Sequence, residues 1–328
     1  MVKAVRLLAS CFLLLGCTAE GVLPAQRPPT SVQAEGSFDT PPLRVVVISD
    51  LNGAHGQTRY GDPVHTAVSR VLEMDPDLVL STGDMVAGQR RGLDYAAMWR
   101  GFHAAVSEPL AAASIPFAVA PGNHDASGYR RFGRERSAYA AAWAERRPVV
   151  HWVDAEHFPF RYAFEAGPAL FVALDATTVG PLGEEQMRWL DAVLAATDQP
   201  VRVVFGHVPL HPFTVGRERE YIGDLALEAI LRRRNVALFV SGHHHAYYPG
   251  RRGPLRLVSM ACLGGGPRAL IGTEERSERA ILAFEVTRDG VSRLDAFAGR
   301  DFDEVVERAS LPIQVGVGER LITRDDAK

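Results

Sequence analysis

Five apolar, strand-like runs in this chain each stop on a residue that can hold a metal ion. Leu43–Ser49 stops at Asp50, Asp77–Gly83 at Asp84, and Pro116–Gly122 at Asn123-His124-Asp125. Val201–Gly206 stops at His207, and Ala237–Gly242 stops at His243-His244-His245. In an open α/β sheet, ligands collect off the carboxyl ends of the strands, so five such ends point at one site. Carboxylates, a carboxamide and imidazoles in this number suit two divalent cations and hydrolytic chemistry. The competing view is a chance spread of strand-end polar residues. His55, His65, His103, His151 and His157 stand outside the five motifs and are read as solvated or locally satisfied side chains.

The elements that must position these residues follow from periodicity. From Leu43 the chain alternates strand and helix signals, which predicts a largely parallel sheet with crossover helices. Helices are expected over Asp62–Glu73, Leu93–Ala113, Gly183–Ala196 and Asp224–Arg234. In the second of these, Trp99, Phe102, Val106 and Leu110 recur at helical spacing and read as core. Further strands are expected at Phe158–Glu165, Ala169–Asp175, Leu255–Ala261, Ala280–Thr287 and Val291–Phe297. The first two and the last two pair as hairpins around Ala166-Gly167-Pro168 and Arg288-Asp289-Gly290. This order predicts an α/β fold of two packed mixed sheets with helices outside. No internal repeat is present.

Composition sets the remaining bounds. The chain has 328 residues, 47% hydrophobic and 23% charged, enough apolar material for a sizeable core. A formal net charge of −3 gives no reason to expect a nucleic-acid partner. Lys3 and Arg6 precede the apolar run Leu7–Leu15, which is too short for a spanning helix and has the pattern of a secretory signal. That run ends Leu14-Leu15-Gly16-Cys17, which resembles a bacterial lipoprotein box, and Leu8-Ala9-Ser10-Cys11 fits the box less well. The resemblance implies residues 1–17 as signal peptide, a lipid anchor on Cys17, and export to a bacterial membrane surface. An ordinary signal peptide with an incidental Cys is the alternative. Residues 18–42 hold five prolines among small and polar residues and read as a tether. The body is expected over 43–300, with a partly mobile tail over 301–328. Cys262 is the one cysteine in the body, so no bridge can form within it, and it reads as a small buried hydrophobe.

Taken in order, Asp50-Leu51-Asn52, Gly83-Asp84, Gly122-Asn123-His124-Asp125, Gly206-His207 and Gly242-His243-His244-His245 resemble the calcineurin-like metallophosphoesterase superfamily. Its signature runs D-x-H, G-D, G-N-H-[DE], G-H and G-H-x-H, and the resemblance covers residues 43–300. It implies the αββα sandwich and a phosphate-ester hydrolase in which a hydroxide between two metals attacks phosphorus. Asp84 matches the bridging carboxylate, Asp50 and His245 the first metal's ligands, and Asn123, His207 and His243 the second's. His124 matches the residue that stabilises the transition state and protonates the leaving alkoxide, and Asp125 is placed to orient its ring. An extended backbone would turn His243 and His245 to one face and His244 away. The glycines before the ligands are read as points where the backbone bends.

The departure is Asn52, where the family has His. Its amide oxygen ligates the first metal, or it stands one shell out with a water in that place, or the site is crippled. His55 swinging in as the missing imidazole is a fourth arrangement. An amide oxygen in place of imidazole favours harder ions, so manganese or iron is expected ahead of zinc. Purple acid phosphatases place Tyr three residues after the bridging Asp. Here Ala87 stands there, so no tyrosinate colour is expected.

Tyr129, Arg130, Arg131 and Arg134 could reach a substrate phosphate or could form a solvated basic face. His211 is read as bordering the pocket mouth or as surface. The glycine run Leu263-Gly264-Gly265-Gly266 is expected to cross close to the metals. The leading reading is a small-molecule phosphoesterase, monoesterase or diesterase. The alternatives are a catalytically impaired metal-binding scaffold and a nucleic-acid binder.

Overall fold

In the computed structural model, residues 41–327 are described; the expected signal, most of the expected tether and Cys17 lie outside them. Two mixed sheets pack face to face. The first has six strands in the order Glu304–Val305, Gly290–Ala298, Ile281–Thr287, Leu43–Ile48, Leu78–Ser81 and Phe117–Val119. The last three of these run parallel. The second has nine, centred on Leu255–Ser259, Leu238–Ser241, Val201–Gly206 and Ala169–Ala173, also mutually parallel. Both expected hairpins form, Tyr162–Ala166 with Ala169–Ala173 and Ile281–Thr287 with Gly290–Ala298.

Strand alternation sorts the core into layers. In Leu43–Ile48, Val45 and Val47 face the second sheet, while Val46 and Ile48 face the helices. Phe164, Phe171, Phe205, Leu238 and Val240 meet them from the second sheet. Helices Asp62–Met74 and Gly133–Trp143 cover the outside of the first sheet, and Glu184–Ala196 and Leu225–Arg233 that of the second. This is the expected αββα arrangement.

Among the differences from expectation, three stand out. The helix expected over Leu93–Ala113 forms as Tyr95–Phe102 and Glu108–Ala112 joined by a π-helical turn, His103–Ser107. There His103 Nδ1 meets Ser107 Oγ at 2.6 Å, inside the aromatic cluster. Helix Gly133–Trp143 was not expected, because its apolar residues make no continuous stripe. The residues after Arg300 are not a mobile tail. They add Glu304–Val305 to the first sheet, and Gln314–Val315 and Ile322–Arg324 to the second. Asp325 ties them down by accepting from Arg256 and Arg308. Strands of two and three residues are too short to show a period.

Candidate metal centre

The parallel strands of both sheets end on the same edge, and their loops carry the chemistry. Asp50 follows Leu43–Ile48 by two residues, Asp84 follows Leu78–Ser81 by three, and His207 directly follows Val201–Gly206. Asp50, Asp84 and His245 place one ligand atom each within 4.8 Å of one another, all buried. Nε2 of His245 lies 3.1 Å from Asp50 Oδ1. A second group adjoins the first through Asp84. Nε2 of His207 lies 3.4 Å from Asp84 Oδ1 and 2.8 Å from Asn123 Oδ1, and the His243 ring is 5.1 Å from the His207 ring.

Backbone conformation, rather than an extended run, aims the ligands. Asp50, Asp84, His243 and His245 all have left-handed φ, between 50° and 66°. Such strain at non-glycine residues concentrates at functional sites and is held by the surrounding structure. The extended reading of His243–His245 was therefore wrong about the backbone, although His244 does point away. Its Nδ1 accepts from Phe213 N and its Nε2 meets the Glu220 carbonyl. The preceding glycines act less by bending than by close approach. A Cβ on Gly122 would lie 2.0 Å from Asp84 N, and one on Gly242 would lie 2.4 Å from Ser49 Oγ. Only Gly83, at φ 98°, needs glycine for its conformation. The run Gly264–Gly266 crosses the first motif as expected: Gly264 N donates to Asp50 O and Gly265 N to Asn52 O.

Partners on the far side of each ring set which nitrogen faces the carboxylates. His207 Nδ1 donates to Thr82 O at 2.9 Å and His245 Nδ1 to Gly266 O at 3.1 Å, which leaves both Nε2 atoms inward. Asp50 is held by Ser49 Oγ at 2.5 Å and by the His243 amide, and Thr82 Oγ1 backs Ser49. Asp84 Oδ1 accepts from the His124 amide at 2.8 Å.

Electrostatics show what the pocket demands. Asp50 and Asp84 are buried, and among the described residues their ion-pair partners are imidazoles. Burial resists ionising Asp84, but His207 and His124 hold it well below the carboxylate range. Burial resists charging His245, but Asp50 outweighs it and pushes the ring up to about 10; Asp84 likewise pushes His207 up to about 9. Two buried carboxylates thus recruit protons onto neighbouring imidazoles. Divalent cations fit the same donors and would displace those protons. Bound there, they would be held by Asp50, Asn52, Asp84, Asn123, His207, His243 and His245.

Not every expected residue does what was expected of it. Asp125 does not orient the His124 ring. Its carboxylate accepts from Val86 N at 2.8 Å and Gly122 N at 2.9 Å, fixing the loops instead. The His124 ring turns its Nδ1 toward Gly88 O at 3.4 Å. Asn52 is buried and donates to Val86 O at 3.4 Å, which leaves its oxygen free. His55 does not replace it: its Nδ1 bonds Gly88 O at 2.7 Å, and its ring lies 5.6 Å from that of His124. His211 is neither mouth nor surface, being buried against Glu228 at 2.9 Å. Arg130, Arg131 and Arg134 are exposed, and Arg131 stacks on Phe132.

Two residues at the centre escaped sequence reasoning. Glu220 Oε2 lies 2.9 Å from His243 Nε2, and Arg217, paired with Glu220, lies 2.8 Å from the same atom. They sit in an irregular loop between two ligand motifs, where no period marks them. Cys262, buried as expected, also lies beside the His245 ring.

Known proteins share this architecture. Residues 43–247 match the family model for calcineurin-like phosphoesterase. Purple acid phosphatase 21 of Arabidopsis thaliana is 27% identical over 65% of this chain and 47% of its own length. A protein of Arcobacter nitrofigilis named "Probable glycerophosphodiester phosphodiesterase GpdQ" is 27% identical over 53% of this chain and 58% of its own. The chain spans about half the length of the curated relatives it matches. A purple acid phosphatase from yellow lupin superposes with a TM-score of 0.63 at 19% identity, covering 82% of this chain and 53% of that one. With its five strand-end motifs gathered at one buried centre, the chain belongs to the calcineurin-like phosphoesterase family.

Proposed function

We propose that the protein hydrolyses small phosphate esters at a centre of two divalent cations. Asp50, Asn52, Asp84 and His245 would hold one, and Asp84, Asn123, His207 and His243 the other. The observation that carries this reading is the position of Asp84, buried between His245 on one side and His207 on the other. Bound divalent cations supply charge neutralisation for the phosphate oxygens and acidify water. The chain's own residues do the rest. Thr82 O and Gly266 O hold the imidazole tautomers, and the His124 amide fixes Asp84. The His124 ring, only half-buried, is free to give a proton to the leaving oxygen.

Relatives bear names of phosphatases and of a phosphodiesterase, so either ester class fits. Hydrolysis of bis(p-nitrophenyl) phosphate and p-nitrophenyl phosphate with Mn²⁺ supplied tests the proposal. Turnover of either supports it. Turnover of neither, with metal bound, leaves the scaffold reading. We also propose export and a lipid anchor at Cys17, from the Leu14-Leu15-Gly16-Cys17 pattern. Radiolabelled palmitate incorporated into the wild-type chain but not into Cys17→Ala would support it.

A further inference from the structure

We propose that Arg217 and Arg268 form an anion subsite beside the metal-binding histidines, suited to the second phosphate of a diphosphate diester. This rests on the hydrolytic reading above and names its substrate class.

Arg268 is half-buried, its Nε is enclosed without a partner, and it has no ion pair among the described residues. Arg217 pairs with Glu220 and touches His243, yet its own Nε is also enclosed without a partner. The Arg268 guanidinium reaches the backbone that carries Arg217, and the two charges lie close enough to repel. A Cβ placed on Gly216 would lie 3.8 Å from Arg268 Nη1, and Gly216 directly precedes Arg217. Burial first, and then Arg217, hold the pKa of Arg268 below its ordinary value. Two like charges thus share a half-buried corner with one carboxylate, Glu220.

Backbone hydrogen bonds tie the corner to the candidate metal centre. Val215 N donates to Ala269 O at 3.0 Å, Thr214 bridges Leu270, and Arg268 N donates to His245 O at 3.2 Å. Both arginines therefore hang on the frame that carries His243 and His245. Guanidinium forks match phosphate oxygens and bind them more strongly than neutral donors do. A phosphate joined through one oxygen to the phosphate at the metals would lie on this side and neutralise the uncompensated charge.

The reaction balances as a hydrolysis. Water supplies the oxygen that bonds to one phosphorus, and the bond from that phosphorus to the bridging oxygen breaks. The bridging oxygen leaves with the second phosphate. Two phosphate monoesters result, and the protons of water go to the products or to solvent.

The test compares kcat/KM for diadenosine diphosphate and for bis(p-nitrophenyl) phosphate, in wild type, Arg268→Met and Arg268→Lys, each loaded with Mn²⁺. The diphosphate-to-bis-ester ratio should fall about tenfold or more in Arg268→Met, the scale of one charge-assisted hydrogen bond, and less in Arg268→Lys. An unchanged ratio in Arg268→Met overturns the proposal. Calorimetry with methylenediphosphonate and methylphosphonate, neither of them hydrolysable, is the second arm. The diphosphonate should bind more tightly to wild type, and that preference should vanish in Arg268→Met. Equal binding of the two to wild type overturns the proposal. If no ester is turned over, the hydrolytic reading fails, and the calorimetric preference alone judges the subsite.

Discussion

His207 reaches Asp84 with one ring nitrogen while its other donates to the Thr82 carbonyl, 3.4 Å and 2.9 Å away. That pairing joins the two sheets at their carboxyl ends, because Asp84 leaves the first sheet and His207 the second. Asp84→Asn should therefore be the most damaging single change. It removes the charge shared by both halves of the site, and activity should fall by roughly a thousandfold or more, with metal content reduced. Metal analysis of the purified variant beside its turnover checks this. Full metal content with full activity would remove Asp84 from its assigned role.

His124→Ala should separate chemistry from metal binding. The amide that fixes Asp84 is backbone and survives the change. Metal content should hold while kcat falls roughly a hundred- to ten-thousand-fold, the range for a lost general acid. The loss should be smaller with a p-nitrophenolate leaving group, which needs little protonation. Equal losses on good and poor leaving groups would assign His124 to charge stabilisation instead.

Asn52 is expected to set the metal preference. In a reconstitution series, Mn²⁺ should activate more than Zn²⁺, and Asn52→His should move the optimum toward Zn²⁺. The side chain is buried and its nitrogen is bonded to Val86 O, so the exchange also tests whether the oxygen is the metal-facing atom. Highest activity with Zn²⁺ in the wild type would contradict this account.

Away from the metals, His103 links stability to pH. Burial, and then Arg146, push its pKa down to about 4 from an ordinary 6.5. The unfolded chain therefore takes up a proton between pH 6.5 and 4 that the folded chain refuses. Stability is lost as pH falls through that window, by at most about 1.4 kcal/mol per pH unit from this group. His103→Gln should flatten the pH dependence of the urea midpoint between pH 6.5 and 4 relative to wild type. Identical slopes would show that His103 charges freely in the fold.

The chain itself determined which donors exist and where each sits relative to a strand. Continuous runs of Val, Leu, Ile and Phe, buried on both faces, stop just before Asp50, Asp84, Asn123, His207 and His243, so the strand ends are legible from the pattern. Tertiary packing decided what lies behind those donors. Left-handed backbone at Asp50, Asp84, His243 and His245 is forced by loops crossing one another, which no local pattern records. Asp125 went to the Val86 and Gly122 amides because those unpaired donors were buried beside it. Glu220 and Arg217 reached His243 through a loop with no period, and the last strands joined their sheets at two or three residues each. Short-range pattern encodes burial and strand ends; contacts between loops far apart in sequence depend on the whole fold being in place.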